Sequence, residues 1–270
     1  MDVQKQIISD REFGDFRNLL YGITGINLSA GKKALVSGRL AKRLRERQLE
    51  SYGEYFRFLS SGQDPAELQT AIDLLTTNET YFFREAKHFE FLREQILPQF
   101  ARNRPFRVWS AASSSGEEPY SIAMTLADCL GEESWEVFGS DISSRVLEKA
   151  RSGHYLMERA KDLPRQHLVN YCLKGVKSQA GTFLIDQRLK SRMRFQQVNL
   201  NADLPGVGEF DVIFLRNVMI YFDTETKRRV VERLWHTLKP QGYLIIGHSE
   251  SLNGVFDRMQ VVKPSVYRKP

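Results

Sequence analysis

Arg107-Val-Trp-Ser-Ala-Ala-Ser-Ser-Ser-Gly-Glu-Glu-Pro119, followed by an amphipathic run and then Val137-Phe-Gly-Ser-Asp141, decides the fold of this 270-residue chain. The order is an apolar strand, a turn of small residues, a helix, and a second strand ending in a carboxylate. That is the layout of a nucleotide-binding βαβ unit. The turn departs from the dinucleotide pattern, which uses three glycines and leaves a helix N-terminus open to negative charge. Here only Gly116 is present, and Glu117 and Glu118 open the helix. Two carboxylates would repel a diphosphate and suit a nucleoside carrying positive charge. S-adenosylmethionine, with its sulfonium and ammonium groups, is the commonest ligand of that kind.

Outward from this unit, alternating elements continue. Strands are expected at 106–111, 135–140, 210–215 and 242–247, with Pro264–Arg268 as a last strand, and helices at 117–130, 143–152 and 224–238. Short strands separated by helices imply a parallel doubly wound sheet. Between about 155 and 198 the rhythm breaks: Thr182–Arg188 and Met193–Val198 alternate at period two, which predicts a small antiparallel insert, with Gly175–Gly181 as its turn. Residues 1–76 read as all-helical, with start signals at Ser51-x-x-Glu54 and at Asp64-Pro-Ala-Glu67. Thus the expected fold is α/β, with a helical domain at 1–76 and a Rossmann-like domain at 77–270 carrying the insert at about 155–198.

The charge of +6 is concentrated: Lys32 to Arg47 holds seven basic residues and one acidic, so the rest of the chain is formally neutral. Val36, Leu40 and Leu44 form the apolar stripe of a helix at about 32–48, leaving Arg39, Lys42, Arg43 and Arg47 largely outside it. One basic element points to a docking surface for an acidic partner; a solvated basic face is the alternative. No apolar run reaches membrane-spanning length, and Met1–Gln6 lacks a signal-like apolar stretch, so a cytoplasmic protein is expected. Cys129 and Cys172 are isolated, and the five histidines show no ligand spacing, so neither a disulfide framework nor a metal site is expected.

Asp141 ends the second strand, where a carboxylate can take both ribose hydroxyls or, alternatively, cap the next helix. Thr76–Arg84 joins the two regions and reads either as a helix start, since Thr76-x-x-Glu79 fits a capping box, or as a lid over a ligand. In that segment Arg84 is the residue least explained by packing. Arg216 and Asn217 follow the strand at 210–215 and fall on the ligand edge of the sheet, with Tyr221 close by. There is no evident general base. A nucleophile already ionised at neutral pH would need none.

Taken together, Thr77–Glu85, Val108–Ser121, Ser140-Asp-Ile142 and Arg216–Phe222, joined by Leu238–Leu244 and Gly247–Glu250, closely resemble the chemotaxis receptor methyltransferase (CheR) family, in the family's order and over nearly the whole chain. The resemblance implies methyl transfer from S-adenosylmethionine to glutamate side chains of bacterial chemoreceptors, leaving γ-methyl esters and S-adenosylhomocysteine, with no metal. It places cofactor contacts at Asn78, Thr80, Arg84, Glu118, Asp141, Asn199, Leu200, Arg216 and Asn217, and sets Arg84 and Tyr221 nearest the reacting groups. It also implies a glutamate-rich cytoplasmic signalling domain as partner, docked on Arg39, Lys42, Arg43 and Arg47, and in some members a receptor C-terminal peptide added as a strand to the β insert. Membrane insertion and nucleic-acid binding are not expected. Competing readings are a nucleic-acid methyltransferase, against which Arg216-Asn-Val-Met lacks the prolines usual after the Asn or Asp of amino-adenine enzymes, and a non-catalytic cofactor-binding adaptor.

Overall fold

Reciprocal capping opens the first helix: the Ser9 hydroxyl accepts the Glu12 amide, and the Glu12 carboxylate accepts the Ser9 amide, ahead of α1 (Asp10–Thr24). The computed structural model describes residues 7–100 and 103–270, so the export-signal expectation at Met1–Gln6 falls outside the described residues. Val36, Leu40 and Leu44 turn one face of α2 (Lys33–Glu46) inward, and all three are buried. Ser51 caps α3 (Tyr52–Ser60), and Asp64 caps α4 (Pro65–Leu75) with proline at its first position. These helices close on one core built around Phe13, Phe16, Tyr52 and Tyr55. Thr76 then ends α4, and residues 77–81 carry no regular structure, so the apparent capping box at Thr76–Glu79 starts no helix.

A short α5 (Lys87–Phe91) continues through a π turn toward the sheet. The chain then runs β1 (Phe106–Ala111), α6 (Glu117–Leu130), β2 (Trp135–Asp141), α7 (Ser144–Ser152), β3 (His154–Leu156), α8 (Arg165–Tyr171), β4 (Cys172–Lys174), β5 (Thr182–Ile185), α9 (Gln187–Lys190), β6 (Met193–Gln197), β7 (Phe210–Leu215), α10 (Thr224–Thr237), β8 (Leu238–Ile246), β9 (Gln260–Lys263) and β10 (Val266–Arg268). The main sheet has the order β6-β2-β1-β7-β8-β10-β9, parallel through β8 and antiparallel at β10 and β9. From β1 the chain steps outward through β2 to β6, then returns to β7 on the other side of β1. The strand order therefore reverses between β1 and β7, which opens a crevice at their carboxyl ends.

The insert is the antiparallel sheet β3-β5-β4, with Gly175–Gly181 linking β4 and β5. Met193–Val198 does not belong to it. That stretch forms β6, the parallel edge partner of β2. Period-two alternation reports one exposed face, which a parallel edge strand shares with an antiparallel ribbon, so the pattern alone could not separate them. Gly139 admits the pairing, because a β-carbon there would lie 2.6 Å from the Phe195 ring. Strand β9 gave no sequence signal; it is a short edge strand with Val261 and Val262 exposed.

Candidate active site

The helical domain covers the crevice at the ends of β1, β2 and β7 and encloses a cavity of about 290 Å³. Asn78, Thr80, Arg84, Glu118, Asp141, Asn199, Leu200, Arg216, Asn217 and Tyr221 all line it, converging from five segments of the chain. Backbone strain gathers around the same space. Of the nine described non-glycine residues with positive φ, Phe83, Glu85, Ala112, Ser114 and Asn217 lie in segments that border the cavity. Such conformations persist where surrounding structure enforces them, commonly at functional sites.

Asp141 accepts the Ser143 amide on Oδ1 and the Ser114 amide on Oδ2, both at 2.9 Å. The Ile142 amide is directed at the same carboxylate, and the acceptor sites that these amides leave open are available to the cavity Asp141 lines. Burial raises its pKa to about 6, against the pull of the backbone amides. The next helix is capped by another residue. Asp73 of α4 accepts the Ser144 amide at 3.0 Å, the Ser144 hydroxyl at 2.7 Å and the Arg145 amide at 3.2 Å. Asp141 is thus left out of that capping role, and the helical domain is fastened to the sheet at α7.

Only one of the paired glutamates faces the cavity. Glu118 accepts the Ser110 hydroxyl at 2.7 Å and Nη1 of Arg216 at 2.9 Å, and burial pushes its pKa up against the attraction of Arg216. Glu117 is buried away from the cavity, where it pairs with Arg159 of the insert and accepts the Ser115 hydroxyl. Neighbours in a helix point in different directions, so the expectation that both carboxylates meet the ligand is corrected to Glu118 alone. Arg159 also donates to the Thr80 carbonyl at 2.6 Å, tying the insert to the loop that carries Arg84.

Arg216 is buried, bridging Glu118 and, at 3.1 Å, Glu85, with its guanidinium over the Phe89 ring. Its Nε has no hydrogen-bond partner among the described residues. Arg84 donates to the Glu79 carbonyl at 3.0 Å and lies over the Tyr81 ring. The Tyr221 carbonyl accepts the Asn27 amide at 2.8 Å, joining the two domains across the cavity. Asn199 spends its side chain on the same junction, donating to the Ile23 carbonyl at 2.7 Å and accepting the Asn201 amide at 2.9 Å, so its amide builds the wall. The Asn78 side chain donates to the Thr76 hydroxyl at 3.1 Å, and its carbonyl accepts the Ser114 hydroxyl at 2.7 Å.

The basic helix is corrected more strongly. Arg43 and Arg47 both bind the buried carboxylate of Glu67, which also accepts the Tyr55 hydroxyl at 2.7 Å. Burial disfavours the charge on Glu67, yet these bonds hold its pKa at about 2. Arg39 donates to the carbonyls of Leu75 and Thr76. Of the four residues assigned to docking, Arg39, Arg43 and Arg47 therefore make their bonds within the domain, and Lys42, at 76% side-chain exposure, is the most open, pairing with Glu46 at 3.5 Å on the surface. Helical spacing shows which residues leave the apolar stripe, but it cannot show a carboxylate arriving from another helix.

Glu85, His88 and His248 are the one described grouping whose ligand atoms lie close enough to share an ion. One oxygen of Glu85 already accepts the Arg216 guanidinium and the His248 amide, both at 3.1 Å. A guanidinium that close repels a divalent cation. The cluster instead braces Arg216. One wall was not foreseen: Thr24–Ser29, Lys32 and Leu35 of the helical domain also line the cavity. Gly25 lets this loop pass α10, since a β-carbon there would lie 2.6 Å from Thr226, but in sequence it reads only as an ordinary helix-ending glycine.

A nucleoside-sized cavity at the switch point of a doubly wound sheet, with a strand-end carboxylate and a buried Glu–Arg pair, defines a Rossmann-like methyltransferase. Residues 11–76 match the family model described as CheR methyltransferase, all-alpha domain, and residues 78–268 match CheR methyltransferase, SAM binding domain. The chain belongs to the CheR methyltransferase family. It is 43% identical over 267 residues to the chemotaxis protein methyltransferase of Salmonella typhimurium, spanning 98% of this chain and 92% of the relative. Identity to the Escherichia coli protein of that name is 44% with the same spans, and to chemotaxis protein methyltransferase 2 of Pseudomonas aeruginosa it is 42%, spanning 95% and 92%. The nucleic-acid and adaptor readings have no counterpart among these relatives.

Proposed function

We propose that this enzyme transfers the methyl group of S-adenosylmethionine to glutamate side chains of chemoreceptor signalling helices, forming γ-methyl esters in the cytoplasm. The observation that carries the reading is the convergence on one cavity of Asp141, the Glu118–Arg216 pair and Arg84. When bound, S-adenosylmethionine supplies a methyl group on a positively charged sulfur. Asp141 has the free acceptor capacity to hold the ribose hydroxyls, and Glu118 lies where positive charge is favoured. Asn78 and Thr80 on one side, with Asn199, Leu200, Arg216 and Asn217 on the other, complete the cofactor contacts. Arg84 and Tyr221, which both line the cavity, are proposed as the residues nearest the reacting groups, with Arg84 orienting an incoming carboxylate.

A glutamate carboxylate is ionised at neutral pH and attacks without losing a proton. Alignment is then the main task left to the chain, worth roughly 7 to 11 kcal/mol in well-oriented systems. Receptor docking is proposed through the exposed part of α2, with Lys42 as its most exposed member. Strands β3 and β4 are the edges of the insert sheet, with Leu156, Leu173 and Val176 exposed there, which supports strand addition by a receptor C-terminal peptide. No described helix is long and apolar enough to cross a membrane.

Incubation of the purified chain with methyl-labelled cofactor and receptor-containing membranes tests the reading. Alkali-labile label on the receptor is expected. Alkali-stable label, or label on RNA or DNA, would overturn it.

A further inference from the structure

Arg216, Asn217 and Tyr221 reach the cavity from one short turn, closed internally by the Tyr221 amide on the Val218 carbonyl and the Phe222 amide on the Met219 carbonyl. After β7 the backbone turns at Asn217 with φ 58°, a left-handed conformation that asparagine enters more readily than most non-glycine residues. Two carboxylates from outside the turn restrain it: Glu85, which accepts the Asn217 side-chain amide at 3.1 Å, and Glu250, beyond β8. One of its carboxylate oxygens accepts the Asn217 amide at 2.9 Å and the Gly247 amide at 2.7 Å, and the other accepts the Ile220 amide at 3.3 Å. The Met219 amide is directed at the same carboxylate.

Gly247 makes room for this arrangement. A β-carbon there would stand 2.8 Å from the Glu250 oxygen and 2.7 Å from the Asn217 side-chain nitrogen. Glu250 itself does not line the cavity. It lies behind the turn and gathers amides from both of the turn's ends.

Taking the cavity as the cofactor site, we propose that Glu250 is a positioning residue for cofactor binding: its carboxylate, seated against Gly247, fixes the turn that presents Arg216, Asn217 and Tyr221. An anion suits this task because every group facing it is an N–H donor. Glutamine in its place would aim an amino group at those donors.

The test is calorimetric titration of the full chain with S-adenosylhomocysteine, alongside thermal unfolding and the KM for S-adenosylmethionine in methyl transfer. Glu250→Gln is expected to weaken Kd and raise KM by roughly tenfold or more at temperatures well below its unfolding midpoint. Gly247→Ala, which presses on the same contact from the other side and serves if Glu250→Gln does not fold, is expected to do likewise. Phe91→Leu, in the core away from the cavity, shows what lost stability alone does and is expected to leave Kd unchanged. Unchanged Kd in the folded Glu250 or Gly247 variant would overturn the positioning role. Failure of the wild-type chain to bind S-adenosylhomocysteine would instead overturn the cofactor reading beneath it.

Discussion

Replacing Asp141 by asparagine changes one atom at the point where β2 meets the cavity, and the structure sets the size of the effect. Both carboxylate oxygens already accept a backbone amide, from Ser143 and from Ser114, each at 2.9 Å. Their remaining lone pairs are what a ribose diol would use. In Asp141→Asn the new amino group must face one of those amides or a ribose hydroxyl, so at least one charge-assisted hydrogen bond to the cofactor is lost and the other becomes neutral. Bonds to charged groups are worth about 1.5–3 kcal/mol each, so the combined loss is about 2–4 kcal/mol, or roughly 30- to 1,000-fold in Kd. Calorimetric titration with S-adenosylhomocysteine measures this directly. Turnover at saturating cofactor should fall much less, because the carboxylate does not touch the transferred methyl. A variant that binds as tightly as wild type would refute the ribose role.

Because burial raises Asp141 to about 6 and ribose hydroxyls favour its ionised form, cofactor affinity should be full above pH 6 and fall below it. Binding near pH 5.5 should then release a proton, measurable by titration in buffers of different ionisation enthalpy. Glu67, held at about 2 against an ordinary value of 4.5, contributes stability that is fully present above pH 4.5 and lost as the pH falls toward 2. That shift corresponds to about 3 kcal/mol, so Glu67→Gln should cost about 2–3 kcal/mol in urea unfolding at pH 7 while leaving the cofactor Kd nearly unchanged. Arg84→Ala should lower kcat by more than tenfold, with a smaller change in Kd, if its guanidinium orients the acceptor carboxylate; equal kcat would remove it from the reacting groups.

What the sequence disclosed was local. The bounds of α6, Glu117–Leu130, follow from a turn residue before it and a glycine after it, and β1 and β2 follow from apolar runs that end in small or acidic residues. Asp141 and Arg216 could be placed at the ligand edge because parallel strands end there by rule. Pairings between distant segments had no such signature. Asp73 capping α7 and the Thr24–Ser29 wall depend on how two domains meet, and Glu67 gathering Arg43 and Arg47 depends on how two helices of one domain pack, none of which spacing along a single segment encodes. The same limit misassigned β6, whose alternation is true of its exposed face and silent about its neighbour.

On the proposed function the acceptor is a carboxylate, ionised at neutral pH, that needs no base. Methyl transfer from labelled S-adenosylmethionine to a purified receptor cytoplasmic fragment, followed by peptide mapping before and after mild alkali, tests it most directly. Label is expected on glutamate side chains, released as methanol by alkali. Label that survives alkali, on lysine or any other residue, would contradict it.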